Sequence, residues 1–200
     1  MDRRQAIKSI SLSTGLVISS GTFFSMLQSC QQSPTIDWTP RFFSKEDAAA
    51  LSEIAETILP ATDLPGAKDV AAPQLIDLLV KDVFKPEEQE KFAKGFQLYL
   101  MEFNKAGGRD AQKAFVEKSY AAAAERGGEF VGLAKSNSAP AGKENEYHRA
   151  YFMLTVRDLT LRAYFTSEQI GENVLSYDPV PGEFSGCIPV EQVGNIWSLS

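Results

Sequence analysis

From Ala48 onward apolar residues recur at steps of three and four, the period of a helix that lays one face on a core, with polar residues between them. Ala48, Leu51, Ile54, Ala55, Ile58 and Leu59 form the first such stripe, and Ser44 with Asp47 ahead of it is a helix-start signal. Pro60 ends that helix, and the stretch 60–73 (PATDLPGAKDVAAP) is a loop with preset turns. Pro73 suits the first turn of a second helix, with Leu75, Ile76, Leu79, Val80 and Val83 as its buried stripe. Pro86 opens a third helix through Phe103, with Glu87, Glu88 and Glu90 at its positive end and Phe92, Phe96, Tyr99, Leu100 and Phe103 on its apolar face. Gly107-Gly108 closes it. Asp110 is placed to cap a fourth helix over 111–126, where Phe115, Tyr120 and Ala124 offer apolar contacts before Gly127-Gly128. A short helix over 130–135, a polar loop over 136–143 and a long helix from about Asn145 to Phe165 complete the body, with Tyr151, Leu154, Leu159 and Leu161 as core candidates of the last. No segment alternates apolar and polar residues long enough to make a strand. The expected fold is all-α, a single domain of five or six helices.

The last 35 residues break this pattern. Between Tyr177 and Val190 stand Pro179, Pro181, Gly182, Gly186 and Pro189, which exclude a helix. Residues before proline are held extended, so Asp178, Val180 and Ile188 belong to a stiff ribbon, either packed on its own domain or presented to a partner. Tyr164, Phe165, Tyr177, Phe184 and Trp197 are interface anchors or closers of the helical core, two roles that aromatic rings fill equally well.

The first thirty residues follow a different rule. Arg3, Arg4 and Lys8 precede an uncharged run from Ser9 to Ile36, the layout of an export signal, and the paired Arg3-Arg4 resembles the twin-arginine motif, whose pathway carries folded proteins. The run is long enough to span a bilayer, but its many hydroxyls favour a processed signal over a permanent span. Leu27-Gln28-Ser29-Cys30 resembles a lipobox, which makes Cys30 the lipidation candidate; the plainer alternative is a buried cysteine of the apolar run or one cleaved off with it. Residues 1–29 are therefore the signal segment, 30–42 a short polar tether, and 43–200 the helical domain. The 20 basic and 26 acidic residues give a net charge of −6. Setting aside Arg3, Arg4, Lys8 and Asp2 leaves −8 on the remainder, which disfavours nucleic acid as a partner.

One histidine and two cysteines in 200 residues exclude a disulfide scaffold and leave few routes to a zinc site, a Ser-His-Asp triad or a haem ligand pair. There is no Gly-x-Gly-x-x-Gly behind a strand and no Cys-x-x-Cys-His, so no catalytic, metal or cofactor-binding residue is assigned to this chain. His148 is expected to be a surface or satisfied histidine. Arg157, Asp158 and Arg162 form an ion network or an interface edge, and Glu168 and Asp178 serve caps and turns more readily than acid–base chemistry. Cys187 would be the one thiol left outside the cytoplasm once Cys30 is removed or acylated. It is a candidate for an intersubunit disulfide, or else a buried thiol.

The twin-arginine start, the segment 55–67 (AETILPATDLPGA) and the late 159–168 (LTLRAYFTSE) leading into the Tyr177–Cys187 ribbon together resemble the small subunit, subunit 3 or gamma, of the gluconate 2-dehydrogenase family. The resemblance covers about Phe43 to Trp197. It implies a non-catalytic partner of a larger FAD-dependent enzyme that oxidises sugars or sugar acids and passes electrons to a cytochrome or the respiratory chain. It also implies that the small subunit assists the export, maturation and membrane attachment of that enzyme on the periplasmic side of the envelope. Tyr177, Asp178, Pro179, Phe184, Tyr164 and Phe165 join Cys187 as candidates for the partner interface. The competing reading is a stand-alone envelope lipoprotein that binds a carbohydrate or a protein.

Overall fold

The computed structural model describes residues 36–176, 182, 187 and 189–196. Among them the chain forms seven helices, α1 Lys45–Ile58, α2 Ala72–Asp82, α3 Pro86–Lys105, α4 Arg109–Arg126, α5 Gly128–Ala134, α6 Glu144–Thr166 and α7 Glu168–Asn173, then the four-residue turn α8 Val190–Val193, and no strand. The all-α expectation holds, with α7 as an addition. Arg3, Arg4, Cys30, Tyr177, Asp178, Pro179, Phe184 and Trp197 lie outside the described residues.

The helix starts follow local chemistry. Ser44 Oγ accepts from the Asp47 N–H at 3.1 Å, which satisfies one of the orphan donors of α1. Pro86 takes the first position of α3, and the Glu88 carboxylate reaches back to accept from the Lys85 N–H at 3.0 Å. Ser167 ends α6 and caps α7, its Oγ accepting from the Ile170 N–H. One cap differs from expectation. α4 begins at Arg109 behind Gly108 with no side-chain cap, so Asp110 sits inside the first turn, where its charge meets the positive helix end instead of capping it.

The body is built round α6, which packs against α1, α2, α3, α5 and α7. Its buried residues Tyr147, Ala150, Phe152, Met153, Val156, Thr160, Ala163 and Tyr164 cover more than half of the cylinder, wider than one stripe, and leave Asp158 and Arg162 to solvent. Of the four residues expected in its core, Leu154 is buried and Tyr151 and Leu159 pack at its edge. On α3 all five expected aromatic and aliphatic residues are buried. On α2 Ile76 and Val80 are buried, whereas Val83, past the helix end, is 66% exposed. On α4 the buried pair is Val116 and Ala123, and Ala124 faces solvent, because this helix touches the body along a narrow strip. Tyr120 bridges the remaining gap, its hydroxyl donating to the Met153 carbonyl on α6 at 2.8 Å.

The centre of the core is aromatic. Phe152 on α6 lies 5.3 Å from Phe92, 5.4 Å from Phe96 and 5.3 Å from Tyr99, ring centre to ring centre, all three on α3. Phe43, just ahead of α1, adds contacts to Phe92 and Phe96 at 6.1 and 5.2 Å. Tilted and edge-to-face pairs of this kind add about 0.5–1.5 kcal/mol each beyond burial itself. Phe152 can reach these rings because α3 offers Gly95 at the crossing. A Cβ there would stand 2.1 Å from the His148 carbonyl oxygen and 2.8 Å from the Phe152 Cβ.

Gly95→Ala therefore tests the crossing. Helix propensity alone favours alanine by about 1 kcal/mol, but the clash requires α3 and α6 to separate. The expected result in urea unfolding is a net loss of about 3 kcal/mol, the upper range for overpacking. A variant as stable as the wild type would show that the helices are not held this close.

Candidate functional site

Surface segments are held to the helical body by carboxylates that accept backbone N–H groups. Glu56, near the end of α1, organises the loop that follows. Its Oε1 accepts from the Ala61 N–H and its Oε2 from the Lys68 N–H, both at 3.0 Å. Asp69 accepts from the Gly66 N–H at 2.8 Å, and the Ala67 N–H donates to the Leu59 carbonyl at 2.9 Å. The loop closes so tightly on Glu56 that a Cβ at Gly66 would lie 2.5 Å from the Ala61 nitrogen and 2.7 Å from Glu56 Oε1. Ala71, at the end of this loop, is held at φ 54°, a left-handed conformation that an alanine adopts only at a cost.

Glu53, one turn earlier on α1, ties three elements together. Lys68 Nζ from the loop is 2.7 Å from its Oε1, and Arg109 Nη2 from α4 is 3.1 Å from both oxygens. Burial by itself pushes the Glu53 carboxyl up; the hydrogen bonds and charges of Lys68 and Arg109 outweigh that and hold it below its ordinary value. Glu53 and Glu56 also line a cleft of ≈ 260 Å³ between α1 and α4, together with Phe103, Asp110 and Lys113. Both acids already accept hydrogen bonds from the protein's own groups, so the cleft does not present them as a free acid–base pair.

The segment before α1 is held by Asp77. This residue of α2 is buried to 2% exposure. The Arg41 N–H donates to its Oδ2 at 2.7 Å, and the Phe42 and Phe43 N–H groups donate to its Oδ1 at 3.0 Å each. The Arg41 guanidinium pairs with Asp82 at 2.8 Å, one turn along the same helix.

The C-terminal segment is drawn together at its two ends. The Ser176 N–H donates to the Ile196 carbonyl at 2.9 Å, and Asn195 Nδ2 donates to the Val174 carbonyl at 2.7 Å. Ser176 Oγ donates to the Asn195 carbonyl at 3.1 Å and accepts from its N–H at 3.2 Å. Cys187, between these ends, is exposed with a free thiol, so the alternative of a buried thiol falls away.

The aromatic candidates separate. Tyr164 is buried and closes the core, while Phe165, its edge-to-face neighbour at 5.5 Å, is 38% exposed and available to a partner. His148 is half-buried; burial first, then the charges of Lys94 and Lys91, lower its pKa. Its Nδ1 finds no hydrogen-bond partner among the described residues, so it is less satisfied than a surface histidine. Lys91 itself lies over the Tyr147 and Tyr151 rings at 5.1 and 4.7 Å. Arg157 pairs with Asp158 at 3.0 Å as an exposed sequence neighbour, and Arg162 lies outside that pair on the same exposed surface, so no network spans the three. Among the described residues there is no group of three His, Cys, Asp or Glu able to hold a metal, and no helix long and apolar enough to cross a membrane.

What the fold and these clasps define is an all-helical domain wrapped on one central helix, with its loops fixed by buried or half-buried acids. A family model described as gluconate 2-dehydrogenase subunit 3 matches residues 45–182, and the chain belongs to that family. No curated protein and no solved structure matches it.

Glu53, Glu56, Asp77 and Asn195 are absent from the residues that sequence patterns single out. Asp77 did leave a signal, an acid flanked by Ile76 and Val80 on the buried stripe of α2. Glu56 left a weaker one, an acid one turn ahead of a loop rich in proline. The Glu53 node makes a pH prediction. Because its carboxyl is lowered in the folded state, its contribution is present above the unfolded value of 4.5 and lost as pH falls through the lower folded value. Thermal unfolding of wild type and Glu53→Gln should therefore differ most near neutrality and converge in acid; a constant gap across that range would show that the ion pairs contribute nothing.

Proposed function

We propose that this chain is the non-catalytic small subunit of a membrane-associated oxidoreductase complex of the gluconate 2-dehydrogenase kind. In this role it assists the export and maturation of a larger FAD-dependent partner and holds it at the periplasmic side of the envelope. The observation that carries the proposal is the family match over residues 45–182, which spans the helical body from the first residue of α1 into the C-terminal segment. The chemistry then belongs to the partner, which binds the flavin, oxidises a sugar or sugar acid and passes electrons onward, in complexes of this kind to a cytochrome subunit. Arg3 and Arg4 address the pair to the twin-arginine route, and Cys30 supplies a lipid anchor.

The exposed Cys187 and the partly exposed Phe165 support an interface that draws on the C-terminal part of the chain. Large aromatic side chains are the anchors that protein interfaces favour. An exposed thiol outside the cytoplasm forms a disulfide readily when a second thiol faces it.

Co-expression with a large FAD-dependent dehydrogenase subunit, sought first in the reading frame beside this one, tests the assignment. The two should purify together with flavin absorbance and be found outside the cytoplasm, and replacing Arg3-Arg4 by Lys-Lys should retain both inside. A chain that is exported and purified alone, with its neighbour unaffected, sinks the proposal. Cys187 has its own test: a non-reducing gel of the complex should show one band at the summed mass, absent in Cys187→Ser. No such band in the wild type dismisses the covalent link and leaves the non-covalent interface to the co-purification.

A further inference from the structure

The three N–H bonds to Asp77 place the boundary between tether and body earlier in the chain than the helix start does. Ile36, Trp38, Pro40, Phe42 and Phe43 are all half-buried, while Asp37, Thr39 and Arg41 between the first four point to solvent. Exposure alternates from Ile36 to Phe42, as in a strap lying on a surface, and the strap bends over 41–43, where it meets Asp77. Phe43 packs on Phe92 and Phe96 of α3, and Asp77 receives the three N–H groups from beneath.

We propose that Asp77 is a latch that fastens the tether to the folded body and thereby sets how far the body stands from whatever holds Cys30. The chemistry is reciprocal. A carboxylate buried to this degree is costly without donors, and three successive N–H groups that a bend turns inward are costly to hide without an acceptor, so each side is stable only with the other in place. The acceptor exists only where α2 has formed and packed, so the strap docks only on a folded domain. With the latch closed, the six residues from Cys30 to Ile36 reach at most about 20 Å. With it open to Ser44, fourteen residues reach about 50 Å. The closed latch thus shortens the reach between a lipid at Cys30 and the body. The distance to a membrane rests on the lipid-anchor reading of Cys30; the latch does not.

Arg41 provides the probe. Its side chain is exposed and its peptide bond is a trypsin site, yet cleavage needs the strap to leave the surface. In the purified full chain the Arg41–Phe42 bond should be cut slowly. In Asp77→Asn, whose amide accepts poorly and adds a donor facing donors, cleavage there should be about tenfold faster or more, with cleavage after Lys91 and Arg149 unchanged. Equal rates at Arg41 in both proteins overturn the latch, and equal acceleration at all three sites shows that Asp77 is a general core residue and overturns it too. Native-state hydrogen exchange of the unsubstituted chain gives the same decision without a variant. The amides of Arg41, Phe42 and Phe43 should exchange together through an opening that precedes global unfolding, whereas exchange only with the amides of α6 rejects a separate latch. Mass analysis of Cys30 is independent of both, since absence of an acyl group removes the membrane distance and leaves the cleavage result standing.

Discussion

The approach of α3 to α6 at Gly95 is the constraint from which the rest of the domain follows. With no side chain at that point, a backbone carbonyl of α6 lies against α3, and Phe152 is drawn in among Phe92, Phe96 and Tyr99. Once those two helices are locked, α6 has its remaining sides to cover, and α1, α2, α5 and α7 cover them. A helix in this position is stabilised by packing on several faces and owes little to its own propensity.

That arrangement explains what is legible in the sequence and what is not. α3 touches the core along one face, so its stripe from Phe92 to Phe103 appears directly in the spacing. α6 is buried over more than half of its circumference, with Arg157, Asp158, Arg162 and its two ends exposed, so its buried set is wider than one stripe; the row Phe152, Val156, Thr160 and Ala163, spaced four, four and three apart, is passed over because a threonine and an alanine weaken its apolar signal. The glycine that sets the crossing is equally silent, because a lone glycine inside a helical pattern carries no sign of what approaches it. At the surface the limit is of another kind. Asp77 and its donors are more than thirty residues apart, and Asn195 closes on Val174 across the C-terminal segment, distances over which local pattern has no hold.

The acids divide into two groups by what they accept. Glu56 and Asp77 take backbone N–H groups and so fix the path of the chain, independent of which side chains the loop carries. Glu53 takes Lys68 and Arg109, side chains that are themselves partly exposed, and so depends on ionisation and salt. A chain with an acidic excess thus uses a few of its carboxylates as structural acceptors and leaves the remainder on the surface, where their mutual repulsion favours solubility.

The central position of α6 also bears on the order of events during synthesis. The helix that every other large element but α4 packs against spans residues 144–166 of 200, so α1, α2 and α3 leave the ribosome with their apolar faces uncovered and gain their common partner only near the end of translation. Until that keystone is made, the nascent chain is at its most exposed to aggregation and to proteases.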